Sequence, residues 1–137
     1  MFVGLSLRTN ADGLRQLAAI LEPLGYTVTG VPIERCLHLK TAATAATDRL
    51  IVCNPDWIDV TVFAGFDLLA VDQQEASGAN VLRVGDDVVC AAGVPVLAEA
   101  LRGRGLSVHT LDASELAKAE GALTCCSLLF RESMVTR

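Results

Sequence analysis

Near the end of the 137-residue chain, Gly121-Ala122-Leu123-Thr124-Cys125-Cys126-Ser127 sets two thiols side by side. Far upstream, Cys36-Leu37-His38-Leu39-Lys40 sets an imidazole in an apolar run with a lysine two residues on. A thiol and an imidazole that a fold brings together are the minimum parts of a cysteine nucleophile with its proton shuttle. The thiolate is the reactive form, and a nearby cation lowers the thiol pKa enough to supply it. Arg8, in Phe2-Val3-Gly4-Leu5-Ser6-Leu7-Arg8-Thr9-Asn10, carries a planar fork of donors suited to clamping a carboxylate. Taken singly, each has a plainer reading: a structural cysteine, a satisfied structural histidine, an ordinary loop arginine. His109, the other histidine, reads as a surface residue at the end of a strand. Cys125 and His38 are both good zinc donors, but two ligands make no committed site, and no metal is expected. No glycine-rich nucleotide loop is present either, since Gly103-Arg104-Gly105 follows a helical pattern rather than opening one, so no cofactor is expected.

The chain is long enough for one domain with a modest core. Apolar residues make up 52%, with a mean hydropathy of +0.45. The longest apolar run, around Val88 to Ala98, is broken by Gly93 and Pro95 and falls short of the ~20 residues a spanning helix needs. The opening Met1-Phe2-Val3-Gly4-Leu5-Ser6 lacks the basic segment of a secretory signal. The apolar surplus points instead to residues that face a partner chain. A net charge of −5 and a pI near 4.9 argue against nucleic acid or an anionic membrane as partner. Five cysteines form neither a disulfide framework nor a zinc-finger pattern. The apolar surroundings of Cys36, Cys53 and Cys90 predict burial, and the cysteine usage predicts a reducing, cytoplasmic compartment.

The elements that must position these side chains repeat along the chain. Leu14, Leu17, Ala18 and Leu21 follow the i, i+3, i+4, i+7 spacing of a helix face, and Val94, Leu97, Ala98 and Leu101 follow it again 80 positions later, from 14 to 94. Each helix is trailed at the same offset by a glycine, Gly25 or Gly105, suited to a left-handed cap. A β-prone run comes next, Tyr26 to Thr29 or Leu106 to His109. Strands Phe2 to Ser6 and Val88 to Ala92 precede the helices, and the longer first loop holds Arg8, Thr9 and Asn10. Between the copies, Leu39 to Ala46 and Leu50 to Cys53 read as a hairpin, Asp56 to Val62 as a short helix and Leu68 to Val71 as a strand. Asn80 to Val84 and Val88 to Ala92 read as a second hairpin across Gly85-Asp86-Asp87. The unit is strand, strand, helix, strand, about twice, with a partial copy at each end.

On four landmarks in one order the chain resembles the C-terminal half of the dimethylarginine dimethylaminohydrolases, guanidine-modifying enzymes of the pentein superfamily. Phe2 to Asn10 is similar to the segment with a substrate-binding arginine, and Leu37-His38-Leu39-Lys40 to the catalytic-histidine strand. Gly78-Ala79-Asn80-Val81-Leu82-Arg83-Val84-Gly85 resembles the penultimate hairpin, and Leu123-Thr124-Cys125-Cys126-Ser127 the nucleophile motif. The resemblance implies an α/β fold of ββαβ repeats, about half of a five-bladed pentein-type α/β propeller over residues 1–130, with a loose tail at 131–137. It implies that Cys125 attacks the guanidinium carbon of a methylated arginine, while Cys126 turns to the opposite face of a strand, into the core. His38 serves as general acid and then base, Arg8 holds the α-carboxylate, and the backbone of Ala119 helps hold the substrate. In such enzymes the carboxylates that neutralise the guanidinium lie in the N-terminal half, and Met1 falls just after a Gly-Asp or Gly-Glu carboxylate that acts with the histidine. Asp86, Asp87 and Glu120 match none of those positions. The expectation is therefore a chain inactive alone, whose partners are a guanidino amino acid and either an N-terminal half-chain or a second copy in a homodimer. Two alternatives stay open: a non-catalytic half-propeller that binds a partner chain, and an arginine deiminase or amidinotransferase.

Overall fold

The computed structural model describes residues 1–130, so the tail expected over 131–137 lies outside the described residues. Three small sheets follow one another along the chain. β1 (Phe2–Leu5) and β2 (Thr29–Pro32) pair in parallel, joined by helix α1 (Ala11–Leu21). A one-turn helix α2 (Leu39–Ala42) leads into β3 (Ala43–Ala45), which pairs antiparallel with β4 (Leu50–Cys53); β5 (Asp67–Ala70) then adds in parallel to β4. The third sheet repeats that plan: β6 (Leu82–Val84) antiparallel to β7 (Asp87–Ala91), then β8 (Ser107–Leu111) parallel to β7 after helix α3 (Pro95–Arg102). Helix α4 (Ser114–Lys118) and a turn through Cys125 complete the described chain.

The repeat legible in the sequence is a repeat in space, down to its hydrogen bonds. After α1, Gly25 takes φ +85° and the Tyr26 amide donates to the Leu21 carbonyl at 3.2 Å. After α3, Gly105 takes φ +81° and the Leu106 amide donates to the Leu101 carbonyl at 3.3 Å. A left-handed residue is required to turn the chain out of a helix in this way, and glycine adopts it without steric cost.

Packing distinguishes the copies. β4 is buried along its whole length, and its alternate side chains feed two cores: Leu50 and Val52 one, Ile51 and Cys53 the other. The first core runs through Val88 and Cys90 of β7 to Leu97 and Leu101 of α3. The second gathers Val31, Ala42, Ile58 and Phe63, with the Phe2 ring meeting Phe63 edge-on at 4.8 Å. Helix α1 has no buried residue at all, and Leu14, Leu17, Ala18 and Leu21 are only half covered. The first sheet also has two described strands where the other two have three.

Among the described residues, the buried polar side chains Thr44, Asn54, Glu75 and Asn80 tie successive units together. Glu75 accepts the Val96 and Leu97 amides at 2.7 and 2.9 Å, which satisfies the donors and complements the dipole at the start of α3. Asn54, at the end of β4, donates to the Ala76 carbonyl at 3.0 Å. No buried side-chain polar atom among the described residues lacks a partner.

Several elements differ from the sequence expectation. Pairing of the second strand begins at Thr29 rather than Tyr26, because Thr29 is the first residue in register with β1, opposite Phe2. The helix expected over Asp56 to Val62 is a 3-10 turn at Val60–Phe63, capped by Asp59. Residues 39–42 form a helical turn instead of a strand, and Leu123 to Cys126 form turns rather than a strand. With strand alternation gone, Cys126 is exposed beside Cys125 instead of entering the core. Cys53 and Cys90 are buried as expected, but Cys36 is only partly covered. No partial ββαβ copy appears among the described residues after β8; a partial copy is present only at the start.

The unequal burial of the helices sets an expected outcome. Leu101→Ala removes a side chain with no exposure and should cost about 3 kcal/mol in urea denaturation. Leu17→Ala, at the position equivalent to Leu97 of α3, empties a half-covered site and should cost about 1 kcal/mol.

Candidate active site

Arg8, His38 and Cys125 all line one open cleft of about 350 Å³. Three different pieces of chain bring them there. Arg8 lies on the loop between β1 and α1, where Ser6 and Thr9 bridge each other and Asn10 caps α1 through the Gly13 amide. This turn folds back over the C-terminal end of β1, and the Arg8 amide donates to the Ser6 hydroxyl at 3.1 Å. The floor beside it is Gly4, where an added Cβ would stand 2.3 Å from Ile33 Cδ1 and 3.1 Å from Leu39 Cβ. A larger residue at this position would require the Ile33 and Leu39 side chains to shift.

His38 is extended, at φ −130° and ψ 144°, and opens the helical turn of α2; its carbonyl accepts the Thr41 amide at 2.9 Å. The expected strand fails here because residues 39–42 have no neighbouring strand to pair with, so the backbone bonds locally. His38 is exposed at the mouth of that turn.

Cys125 is exposed on the turn after α4. Its Sγ accepts the Ala122 amide at 3.0 Å and lies 3.9 Å from the Cys126 sulfur. The hydrogen bond between these neighbouring thiols raises the Cys126 pKa. Burial raises the Cys53 thiol as well, and pushes Cys90 up to about 11. The fifth thiol, Cys36, is less enclosed, though partial burial still raises its pKa.

The cleft contains residues that the sequence did not single out for chemistry. Asn80 lines it and is buried, with its carboxamide bonded to both the His38 and the Cys125 segments. Its signal in the sequence was a lone carboxamide inside the apolar run Gly78 to Leu82, where an amide must find partners. Lys40 joins Arg8 as a second lining cation, and among the described residues Glu120 is the single lining carboxylate. Glu120 holds φ +58°, a left-handed conformation uncommon outside glycine and enriched at functional positions. Nothing in its sequence context announced that geometry. Ala119 closes α4 with its amide bonded to Leu116 at 3.0 Å, and it does not line the cleft. His109 is exposed in the middle of β8 rather than at its end, 3.1 Å from the Asp87 carboxylate. Among the described residues no cluster of three or more His, Cys, Asp or Glu is arranged to hold a metal.

Three successive α/β sheets around shared cores, with polar residues converging on one cleft, define a pseudo-symmetric propeller of the pentein type, of which this chain is about half. No family model matches the chain. Individual proteins do, and they make it a half-length dimethylarginine dimethylaminohydrolase-like fold. The N(G),N(G)-dimethylarginine dimethylaminohydrolase of Streptomyces coelicolor is 39% identical over 134 residues, covering 96% of this chain and 50% of its own length. That of Pseudomonas aeruginosa is 33% identical over 129 residues, covering 94% and 51%. A solved dimethylarginine dimethylaminohydrolase, a histidine-to-glycine variant as an adduct with S-methyl-L-thiocitrulline, superposes with a TM-score of 0.86 at 32% identity, over 94% of this chain and 51% of the other. The chain thus spans about half the length of the curated relatives it matches. An amidinotransferase from Microseira wollei, at 20% identity and a TM-score of 0.84, shares the fold.

Thiol accessibility predicts an order of alkylation. Under native conditions a small haloacetamide should modify Cys125 before Cys53 and Cys90, with at least tenfold separation by peptide mass spectrometry. Modification of Cys90 at a comparable rate would mean that the core opens on the time scale of the reaction.

Proposed function

We propose that this half-propeller contributes the nucleophile, the proton shuttle and the carboxylate clamp of a hydrolase acting on the guanidinium of methylated arginine. The observation that carries the reading is the convergence of Cys125, His38 and Arg8 on one cleft from three separate segments. The relatives named dimethylarginine dimethylaminohydrolase, and the S-methyl-L-thiocitrulline adduct of a solved dimethylarginine dimethylaminohydrolase, support the substrate class. In the proposed reaction the Cys125 thiolate bonds to the guanidinium carbon. His38 gives its proton to the departing dimethylamine, leaving an S-linked thiouronium. Neutral His38 then takes a proton from water, whose oxygen bonds to the same carbon. The carbon–sulfur bond breaks, releasing citrulline and restoring the thiolate. Arg8 holds the α-carboxylate of the amino acid through both steps. The backbone of Ala119, at the end of α4, is retained as a proposed substrate contact.

The lining charges shape the rest of the proposal. Two cations and one carboxylate favour the carboxylate end of the substrate but leave the guanidinium with Glu120 alone. A guanidinium entering a partly closed cleft needs anionic partners to offset lost hydration. We propose that a partner chain supplies them, an N-terminal half or a second copy of this chain in a two-fold homodimer. The half-covered α1 and the exposed Ile20, Leu128 and Phe130, at 65, 86 and 83% exposure, give such a partner apolar surface to cover. The same surfaces would serve a non-catalytic binding half-propeller, and an arginine deiminase or amidinotransferase would share the fold with a different leaving group. Exposed Cys125 and Cys126, together with the absence of any disulfide among five free cysteines, support a reducing, cytoplasmic setting. No described helix is long and apolar enough to cross a membrane.

Two measurements test the proposal. Incubated with dimethylarginine, the chain alone should form little or no citrulline, and adding the separately expressed N-terminal half of a dimethylargininase should raise the rate. Cys125→Ser should abolish the gain. Robust turnover by the chain alone would show that the anionic partners have been misplaced. Sedimentation at micromolar concentration should give a dimer burying more than ~1,000 Å² in total; a soluble monomer would remove the homodimer.

A further inference from the structure

We infer that Asn80 is a positioning residue that sets the distance between His38 and Cys125. The inference rests on the proposed pairing of those two side chains and adds the part that holds them. Asn80 Nδ2 donates one hydrogen to the Lys40 carbonyl and the other to Thr124 Oγ1, both at 2.8 Å. Its Oδ1 accepts the Thr124 amide at 3.1 Å. Lys40 stands two residues after His38, and Thr124 stands immediately before Cys125. One carboxamide therefore bridges the two segments, reaching 40 and 44 residues along the chain.

No second hydrogen-bonded route joins the two segments among the described residues. Neither segment belongs to a sheet: His38 opens a single helical turn and Cys125 lies on an exposed turn. Among the described residues, no direct hydrogen bond joins residues 38–42 to residues 122–126. The amide orientation is fixed as well, because a flipped carboxamide would set its oxygen against the Lys40 carbonyl. Thr44 locks the backbone on both sides of Asn80. Its hydroxyl donates to the Ala79 carbonyl at 2.6 Å and accepts the Val81 amide at 3.1 Å. Proton transfer between an imidazole and a thiol needs heavy atoms within hydrogen-bond reach, and slack of about 1 Å is enough to cost on the order of a hundredfold in rate. A rigid link between otherwise locally held turns is the device such a pair requires.

The test is the rate at which 2-chloroacetamidine alkylates Cys125, followed by mass spectrometry from pH 5 to 9. His38→Gln and Asn80→Ala should each slow alkylation at pH 7 at least tenfold and should flatten the same limb of the pH profile. In the His38→Gln background, Asn80→Ala should add nothing, since Asn80 acts through the pairing. Thr124→Val removes one acceptor and leaves the backbone bond; it should slow the reaction about threefold, and it carries the test if Asn80→Ala does not fold. Asn54→Ala, another buried carboxamide away from the cleft, should lower the melting temperature while leaving the Cys125 rate unchanged. If His38→Gln slows Cys125 but neither Asn80→Ala nor Thr124→Val does, the positioning role is overturned and the pairing survives. An undiminished Asn80 effect in the His38→Gln background overturns it too, as general destabilisation. An unchanged rate in His38→Gln overturns the pairing itself, and the inference with it.

Discussion

The Asn80 carboxamide, at 8% exposure, uses both hydrogens and its oxygen on two segments that no strand holds together. A buried amide left without partners costs about 1–3 kcal/mol, so the three bonds form together or the site opens. The cleft depends on that constraint. Without it, the turn bearing His38 and the turn bearing Cys125 would each keep their local bonds and lose their mutual register. The Thr44 hydroxyl, bonded on either side of Asn80, extends the constraint into β3 and so into the sheet.

The scaffold behind the cleft is a repeated solution to one packing problem. In a three-stranded sheet with one parallel and one antiparallel edge the central strand carries the core: β4 is buried throughout, and β7 buries Val88 and Cys90. Neighbouring units share apolar side chains across both faces, which is why β4 feeds two cores at once. Buried polar residues then fix how the units sit: Asn54 and Glu75 join the second unit to the third, as Asn80 joins the third to the cleft-lining turns. The first unit departs from the plan, with two described strands and a helix lacking any buried side chain. Apolar residues in such a unit remain available to another surface.

Electrostatically the cleft is lopsided. Arg8 and Lys40 answer the carboxylate end of an amino acid, and Glu120 stands alone among the lining side chains as an answer to its cationic end. The left-handed backbone of Glu120 is a local cost that the surrounding turn sustains through bonds from residues 119, 120 and 121 to the end of α4. The division of charge explains why the chain's net acidity says little about its ligand. Most acidic residues lie elsewhere on the surface, whereas two of the three charged residues described as lining the cleft, Arg8 and Lys40, are cations.

Much of this was legible in the sequence because it rests on short-range rules. The helical spacing of Leu14 to Leu21 and Val94 to Leu101, the left-handed Gly25 and Gly105, and both hairpins follow from periodicity and turn chemistry. Family resemblance further singled out Arg8, His38 and Cys125. What the sequence did not disclose are features set by distant partners. Residues 39–42 are helical and residues 123–126 are turns because no strand lies beside them, so alternation misplaced Cys126 in the core. The resemblance singled out Ala119, whereas the left-handed backbone that sets Glu120 beside it against the cleft had no local signal. Asn80 looked like one residue of a hairpin, since nothing local shows that its amide will meet Lys40 and Thr124. Local propensity and pattern determined the elements; long-range hydrogen bonds, formed only once the units pack, decided where the reactive groups stand.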